Sequence, residues 1–177
     1  MPRVRTWSIA VAAVSALALA GCSSSSSSTT STSTTAPVPT ATIPTADRSP
    51  AGKAGTQPAI VVPPGAAPTK LETADLIVGS GPKAEPGDKV TVQYVLATYS
   101  TGKEVQSSWT SQPFTFKLDA TPEAVITGWD KGVVGMQAGG RRELIIPPSL
   151  GYGDQSPGAG VAANDTLVFI VDLLKIN

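Results

Sequence analysis

Apolar and polar side chains alternate in several short segments after Lys70, and this period of two is typical of strands that bury one face. Turn-forming sequences such as GSGP, EPGD and STGK separate the segments, and almost no helical sequence lies between them. Strands spaced in this way pair as hairpins, so the pattern predicts an antiparallel sheet. About five strands are predicted, at residues 76–78, 90–96, 114–118, 143–146 and 167–173.

One segment, VITGWDKGVVGM at residues 125–136, breaks this pattern and predicts a short helix. Thr127 is the expected N-cap, with Asp130 three residues later, where a negative charge stabilises a helix N-terminus. Gly135 or Gly139 is expected to end the helix. Three apolar side chains then share one face for the sheet to cover, namely Trp129, Val133 and Met136. The fold class is therefore α+β, with one sheet wrapped on one helix.

The first residues have the composition of an export signal. Arg3 and Arg5 precede an apolar run that ends at Ala20, and this run is too short to span a membrane comfortably. The sequence around Cys22 resembles the lipobox of bacterial lipoproteins, which implies lipidation of this single cysteine. We therefore expect a lipoprotein signal peptide at residues 1–21, anchoring at the cell membrane and a domain on the extracytoplasmic side. The alternative is an ordinary signal peptide cleaved nearby.

A long segment of low complexity follows Cys22. Residues 23–35 are all Ser or Thr, and residues 36–69 contain eight prolines and few large apolar side chains. Such a composition buries too little surface to offset the entropy of ordering the chain. We therefore predict a disordered linker over residues 22–69 and one folded domain over residues 70–177.

Composition excludes several classes of chemistry. The chain has no histidine and one cysteine, so neither His-based catalysis nor an intramolecular disulfide is available. Acidic residues are scattered rather than grouped at metal-ligand spacing, and we predict no metal and no cofactor. The formal net charge is zero, so no general field attracts nucleic acid. We expect a monomer.

Five segments in the second half of the chain resemble an FKBP-type peptidyl-prolyl cis-trans isomerase domain. In order they are VTVQY, TGKEVQSS, QPFTFKL, VITGWDKGVVGMQAGGRRELIIPPSLGYG and NDTLVFIVDLLKI. The resemblance implies a half-barrel-like antiparallel sheet around one helix, with an apolar pocket between them. It also implies isomerisation of X-Pro bonds during folding of exported proteins, and a pocket that macrolide inhibitors occupy.

The resemblance assigns the site residue by residue. It implies that Trp129 forms the pocket floor and that the Ile126 N–H and the Tyr152 hydroxyl donate to substrate carbonyls. The remaining site residues that it implies line the walls, and they are Tyr94, Gln106, Phe114, Val125 and Phe169.

This chain departs from the family at Val105 and Gln106, where the family usually has Phe-Asp, and the Arg that normally holds the Asp is missing. Either Gln106 replaces the carboxylate as a neutral partner of Tyr94 and activity is full, or the domain is a weakly active or inactive proline-binding module or chaperone. A third interpretation makes the linker the functional part of the protein.

Overall fold

The structure is a computed structural model that describes residues 41–177. These residues form seven strands, one α-helix and two short 3-10 turns at Thr45–Asp47 and Pro148–Leu150. The helix α1 is Thr127–Val133. The strands are β1 Ala41–Thr42, β2 Glu72–Ile77, β3 Lys89–Thr98, β4 Glu104–Ser107, β5 Phe114–Lys117, β6 Arg141–Ile146 and β7 Leu167–Ile176.

The strands form one open sheet in the order β1-β2-β6-β7-β3-β4, and β5 also pairs with β3. All pairings are antiparallel except that of β1 with β2. Strand β4 pairs with the second half of β3, and β5 pairs with its first half. The predicted α+β class and mainly antiparallel sheet are confirmed, but the predicted count of about five strands is corrected to seven. The additional strands are β1 and β4.

The helix lies on one face of the sheet and contacts β6 through two glycines. A Cβ atom at Gly128 would lie 2.4 Å from Ile146 Cγ2, and one at Gly132 would lie 2.8 Å from Leu144 Cδ2. A side chain at either position would therefore force Ile146 or Leu144 to shift, and glycine allows this close approach of helix and strand without strain. The predicted apolar face is confirmed, since its three members are at most 4% exposed, namely Trp129, Val133 and Met136.

The other face of the sheet is covered by residues 41–69, which we name the N-terminal strap. Ile43 is fully buried against Ile145 and Val168. Two charged side chains of β6, Arg141 and Glu143, are also buried in this interface. The carboxylate of Glu143 accepts hydrogen bonds from Ser49 N (2.9 Å) and Ser49 Oγ (2.6 Å). The sheet is thus buried on both faces where the N-terminal strap crosses it.

The prediction of a disordered linker is wrong for residues 41–69. The few apolar side chains of this segment pack on the outer face of β6 and β7. The carbonyls of Ala51 and Thr56 accept hydrogen bonds from the buried Arg141. The folded domain therefore begins before residue 70. The predicted signal peptide at 1–21, the lipidation of Cys22 and the linker over 22–40 lie outside the described residues. Among residues 41–177, no helix has the length and apolar content to cross a membrane.

Candidate functional site

A cavity of about 220 Å³ opens between α1 and the sheet. All eight residues that the sequence assigns to the site line this cavity, and Ala124 joins them. The eight are Tyr94, Gln106, Phe114, Val125, Ile126, Trp129, Tyr152 and Phe169. Ala124 was missed because a small side chain carries no signal beyond its position next to Val125.

The floor of the cavity is built from aromatic side chains on separate elements. Trp129 lies in the first turn of α1, Tyr94 on β3 and Phe169 on β7. The ring centroid of Trp129 is 5.3 Å from that of Tyr94 and 5.2 Å from that of Phe169, both edge to face. Edge-to-face aromatic pairs contribute about 0.5–1.5 kcal/mol beyond their buried area, so these contacts stabilise the floor.

Exposure divides the cavity into a dry floor and an accessible rim. Trp129 and Phe169 are each 4% exposed, whereas Phe114 is 40% and Tyr152 is 38% exposed. The indole Nε1 of Trp129 is buried and has no hydrogen-bond partner among residues 41–177. An apolar ring that enters past Phe114 and Tyr152 therefore meets an indole that is already desolvated.

The N-cap of α1 differs from the predicted residue, and this difference affects a hydrogen-bond donor at the cavity wall. The N-cap is Ile126 in an extended conformation, and no side chain caps the helix, so the prediction of Thr127 as N-cap is wrong. The Ile126 carbonyl accepts from Trp129 N at 2.8 Å. Its own N–H donates to no acceptor within residues 41–177, which leaves one backbone donor free at the cavity wall.

Asp130 holds the segment that leads into the helix. Its Oδ1 accepts from Asp119 N at 2.8 Å, which ties the chain before α1 to the helix itself. Burial raises the pKa of Asp130, the Asp119 N–H opposes this, and the charges of Asp119 and Glu123 raise it further. Asp130 therefore positions the wall residues rather than capping the helix.

Two tyrosines supply the hydroxyls of the site. Burial raises the pKa of Tyr94, and the neighbouring Tyr152 raises it further. Tyr94 is therefore neutral at physiological pH and keeps its hydroxyl proton as a donor. Tyr152 lies in the turn after Pro148–Leu150, whose Pro148 carbonyl accepts from Gly151 N and Gly153 N.

The two residues that depart from the family have different positions. Gln106 lines the cavity, but within the described chain no hydrogen bond joins it to the Tyr94 hydroxyl. Val105 does not line the cavity and packs against the core and the turn at Gly160. A Cβ atom added to Gly160 would lie 3.0 Å from Val105 Cγ1. Val105 therefore does not line the cavity itself.

The arrangement contains no group suited to nucleophilic or metal chemistry. Among residues 41–177 no three potential metal ligands lie together. The cavity is lined by aromatic, aliphatic and amide groups with hydroxyl and N–H donors at its edge. Such a site can desolvate an apolar ring and donate hydrogen bonds to carbonyl oxygens beside it.

Several proteins of known family match this chain. A protein named FK506-binding protein, from Streptomyces anulatus, is 45% identical over 122 residues, which are 68% of this chain and 97% of that protein. A probable FK506-binding protein from Corynebacterium glutamicum is 44% identical over 120 residues, covering 67% of this chain and 98% of its own.

Solved structures match the fold. The crystal structure of FkpA from Escherichia coli is similar with a TM-score of 0.55 and 36% identity, over 62% of this chain and 49% of FkpA. A peptidyl-prolyl cis-trans isomerase from Pseudomonas syringae has a TM-score of 0.52 and 31% identity, over 59% of this chain and 74% of its own.

The family profile described as FKBP-type peptidyl-prolyl cis-trans isomerase matches residues 81–174, which include every residue that lines the cavity. This match spans more than half of the chain and confirms the predicted enzyme class. The chain belongs to the FKBP-type peptidyl-prolyl cis-trans isomerase family.

Proposed function

We propose that the protein accelerates cis–trans isomerisation of X-Pro bonds in exported polypeptides and that the cavity over Trp129 is the catalytic site. One observation carries this proposal: the aromatic residues of five separate elements and turns converge on one cavity with a buried floor and an open rim. A proline ring is a compact apolar group that matches such a floor.

The chemistry of the reaction suits a site without acids or bases. The peptide bond has a rotation barrier of about 18–20 kcal/mol, and an X-Pro bond equilibrates in tens to hundreds of seconds. Rotation breaks no covalent bond and moves no proton. A dry cavity that binds the twisted amide better than either planar isomer lowers the barrier, and each factor of ten requires about 1.4 kcal/mol of such preference.

The donors at the edge of the cavity have roles in this proposal. The free N–H of Ile126 binds a carbonyl of the substrate backbone and fixes its register against the floor. The Tyr152 hydroxyl donates to a second carbonyl, and its exposed position lets a peptide reach it from solvent. Both donors hold the peptide on either side of the bond that rotates.

The N-terminal sequence supports a proposed location, and the cavity supports proposed partners. We propose that Cys22 is lipidated, that the domain acts at the extracytoplasmic side of the cell membrane, and that it acts as a monomer. Its partners in this proposal are X-Pro-containing polypeptides, with no nucleic acid. Relatives that carry the name FK506-binding protein support a further element, that macrolides of this type occupy the same cavity.

The test is the exchange rate of an X-Pro peptide, measured by NMR exchange spectroscopy with and without the protein. We expect catalysis by the wild type and a loss of at least tenfold in Phe114→Ala, because Phe114 forms part of the wall yet is exposed enough for the fold to tolerate its loss. Leu174→Ala is the matched control, since Leu174 is 41% exposed and lies outside the cavity. An exchange rate equal to the uncatalysed rate would overturn the proposal.

The second candidate is a proline-binding module with little turnover, and the unpartnered Gln106 favours it. In the described chain neither Gln106 nor any charged side chain anchors the Tyr94 hydroxyl. This candidate predicts saturable binding of X-Pro peptides with exchange close to the uncatalysed rate, and a gain of rate in Gln106→Asp. The single substitution is preferred to the pair with Val105→Phe, since Val105 already lies close to the turn at Gly160 and a larger side chain there would also change the packing.

A further inference from the structure

A second cleft of about 360 Å³ adjoins the Trp129 cavity. Its lining is Glu123, Ala124, Val125, Ile126, Thr127, Gly151 and Tyr152. Four of these residues also line the Trp129 cavity, so the wall from Ala124 to Ile126 and the Tyr152 ring separate the two spaces and belong to both. We name this second space the 123–127 cleft.

The two spaces are close enough for one extended peptide to occupy both. Successive residues of an extended chain advance by about 3.3–3.6 Å, so a residue one or two positions from the proline can reach a space that shares four lining residues with the Trp129 cavity. The free N–H of Ile126 lies on that wall and can bind the peptide backbone between the two positions.

Glu123 is the one carboxylate or cationic side chain that lines the 123–127 cleft. It is exposed, and neither of the two salt bridges among residues 41–177 involves it. Burial raises the pKa of Asp130, the Asp119 N–H opposes this, and the charge of Glu123 is among those that raise it further, so the Asp130 carboxyl is a negative neighbour of Glu123. Within the described chain no salt bridge neutralises Glu123, and its exposed carboxylate is available to a ligand.

We propose that the 123–127 cleft binds the residue that flanks proline in the substrate, and that Glu123 selects a lysine or arginine within two positions of the proline. This inference rests on the proposed function only in placing the proline itself in the Trp129 cavity. The long stem of lysine or arginine lies along Val125 and the Tyr152 ring while the cationic head reaches Glu123.

The test measures dissociation constants of the full chain for one X-Pro peptide whose flanking residues are replaced in turn. Lysine, glutamine or glutamate is placed at each of the two positions before and after the proline, and binding is followed by NMR titration at low ionic strength. At one or more positions, we expect lysine to bind about two- to five-fold more tightly than glutamine, and glutamate to bind more weakly. The preference is expected to shrink as salt is added, since both charges are exposed.

Variants assign the preference to one side chain. Glu123→Gln is expected to abolish the discrimination between lysine and glutamine, and Glu123→Lys to reverse it in favour of glutamate. Glu85→Gln is the matched control, because Glu85 is an exposed carboxylate that lines neither space. Equal binding of lysine and glutamine peptides at all four positions overturns the inference, as does a preference that persists in Glu123→Gln.

Binding and turnover separate this inference from the proposed function. A lysine preference in the dissociation constant without any acceleration of exchange supports the cleft and overturns the isomerase proposal. Acceleration without a lysine preference supports the isomerase and overturns the cleft. Failure of every peptide to bind overturns both.

Discussion

Replacing Arg141 with methionine is expected to lower the free energy of unfolding by about 3–5 kcal/mol. Arg141 is 1% exposed and lies between the sheet and the N-terminal strap. Its Nε and Nη2 donate to the two carboxylate oxygens of Asp172 at 2.5 and 2.7 Å. The carbonyls of Ala51 and Thr56 accept from Nη1 and Nη2 at 2.6 and 2.7 Å. The guanidinium thus joins β6 and β7 to the strap.

The magnitude follows from what the substitution leaves behind. Asp172 is 6% exposed, so without Arg141 it becomes a buried carboxylate with no counter-charge, and two strap carbonyls lose a charged donor. Small domains have a total stability of about 5–15 kcal/mol, so the loss is a large part of it. Denaturation in urea at pH 7 measures the change, with linear extrapolation to zero denaturant.

Two further variants separate charge burial from simple loss of a side chain. Arg141→Met combined with Asp172→Leu removes both charges and is expected to recover at least half of the loss. Arg142→Met is the matched control on the same strand, where the partner Asp75 is 45% exposed, and it is expected to cost about 1–2 kcal/mol. Hydrogen exchange of the Ser49 amide, which lies in the strap and donates to Glu143 on β6, is expected to accelerate in Arg141→Met. A loss below 1 kcal/mol in Arg141→Met, or no recovery in the double variant, would refute the reasoning.

Two other predictions concern the same sheet. Gly128→Ala is expected to lower the free energy of unfolding by about 1–3 kcal/mol, because the added Cβ would lie 2.4 Å from Ile146 Cγ2. Thermal or chemical denaturation measures this cost, which is expected to be smaller in an Ile146→Ala background. Equal costs in both backgrounds would contradict this contact. Burial raises the pKa of Glu143 above its ordinary value of 4.5, so folding favours the protonated form of this side chain. The stability that protonated Glu143 contributes is therefore lost as the pH rises through the pKa of the folded state. Relative to Glu143→Gln, the wild type is therefore expected to lose stability from pH 4 upward, and a difference that is constant with pH would argue against a shifted carboxyl.

The residues of the Trp129 cavity were predictable because their motifs are local and specific. Period-two alternation located β3, β5, β6 and β7, whereas the short strand predicted at residues 76–78 overlaps only the end of β2. The spacing of Trp129, Val133 and Met136 identified the face of α1 that is buried. These signals depend on side chains that contact one continuous core. Strand β4 was missed because Glu104–Ser107 contains one apolar residue and pairs only at the edge of the sheet.

The N-terminal strap could not be predicted from its own composition. Its stability comes from partners distant in sequence: Ile43 packs on Ile145 and Val168, and Ser49 binds Glu143. Alternation along β6 correctly placed Glu143 and Leu144 on opposite faces of the sheet. A charged residue on the outer face of a sheet normally indicates that this face is exposed to solvent. Only the pairing of Glu143 with the strap reveals that this face is buried as well.

The central claim is that proline binds on the indole of Trp129, and intermolecular NOEs in a complex with an X-Pro peptide test it most directly. We predict NOEs from the proline ring protons to the indole of Trp129 and to the ring of Phe114, which lie with centroids 6.1 Å apart in the cavity. Trp109, whose indole Nε1 is also buried but which does not line the cavity, serves as an internal control and is expected to show none. Proline NOEs that are absent from Trp129 while the peptide binds elsewhere on the domain would contradict the account.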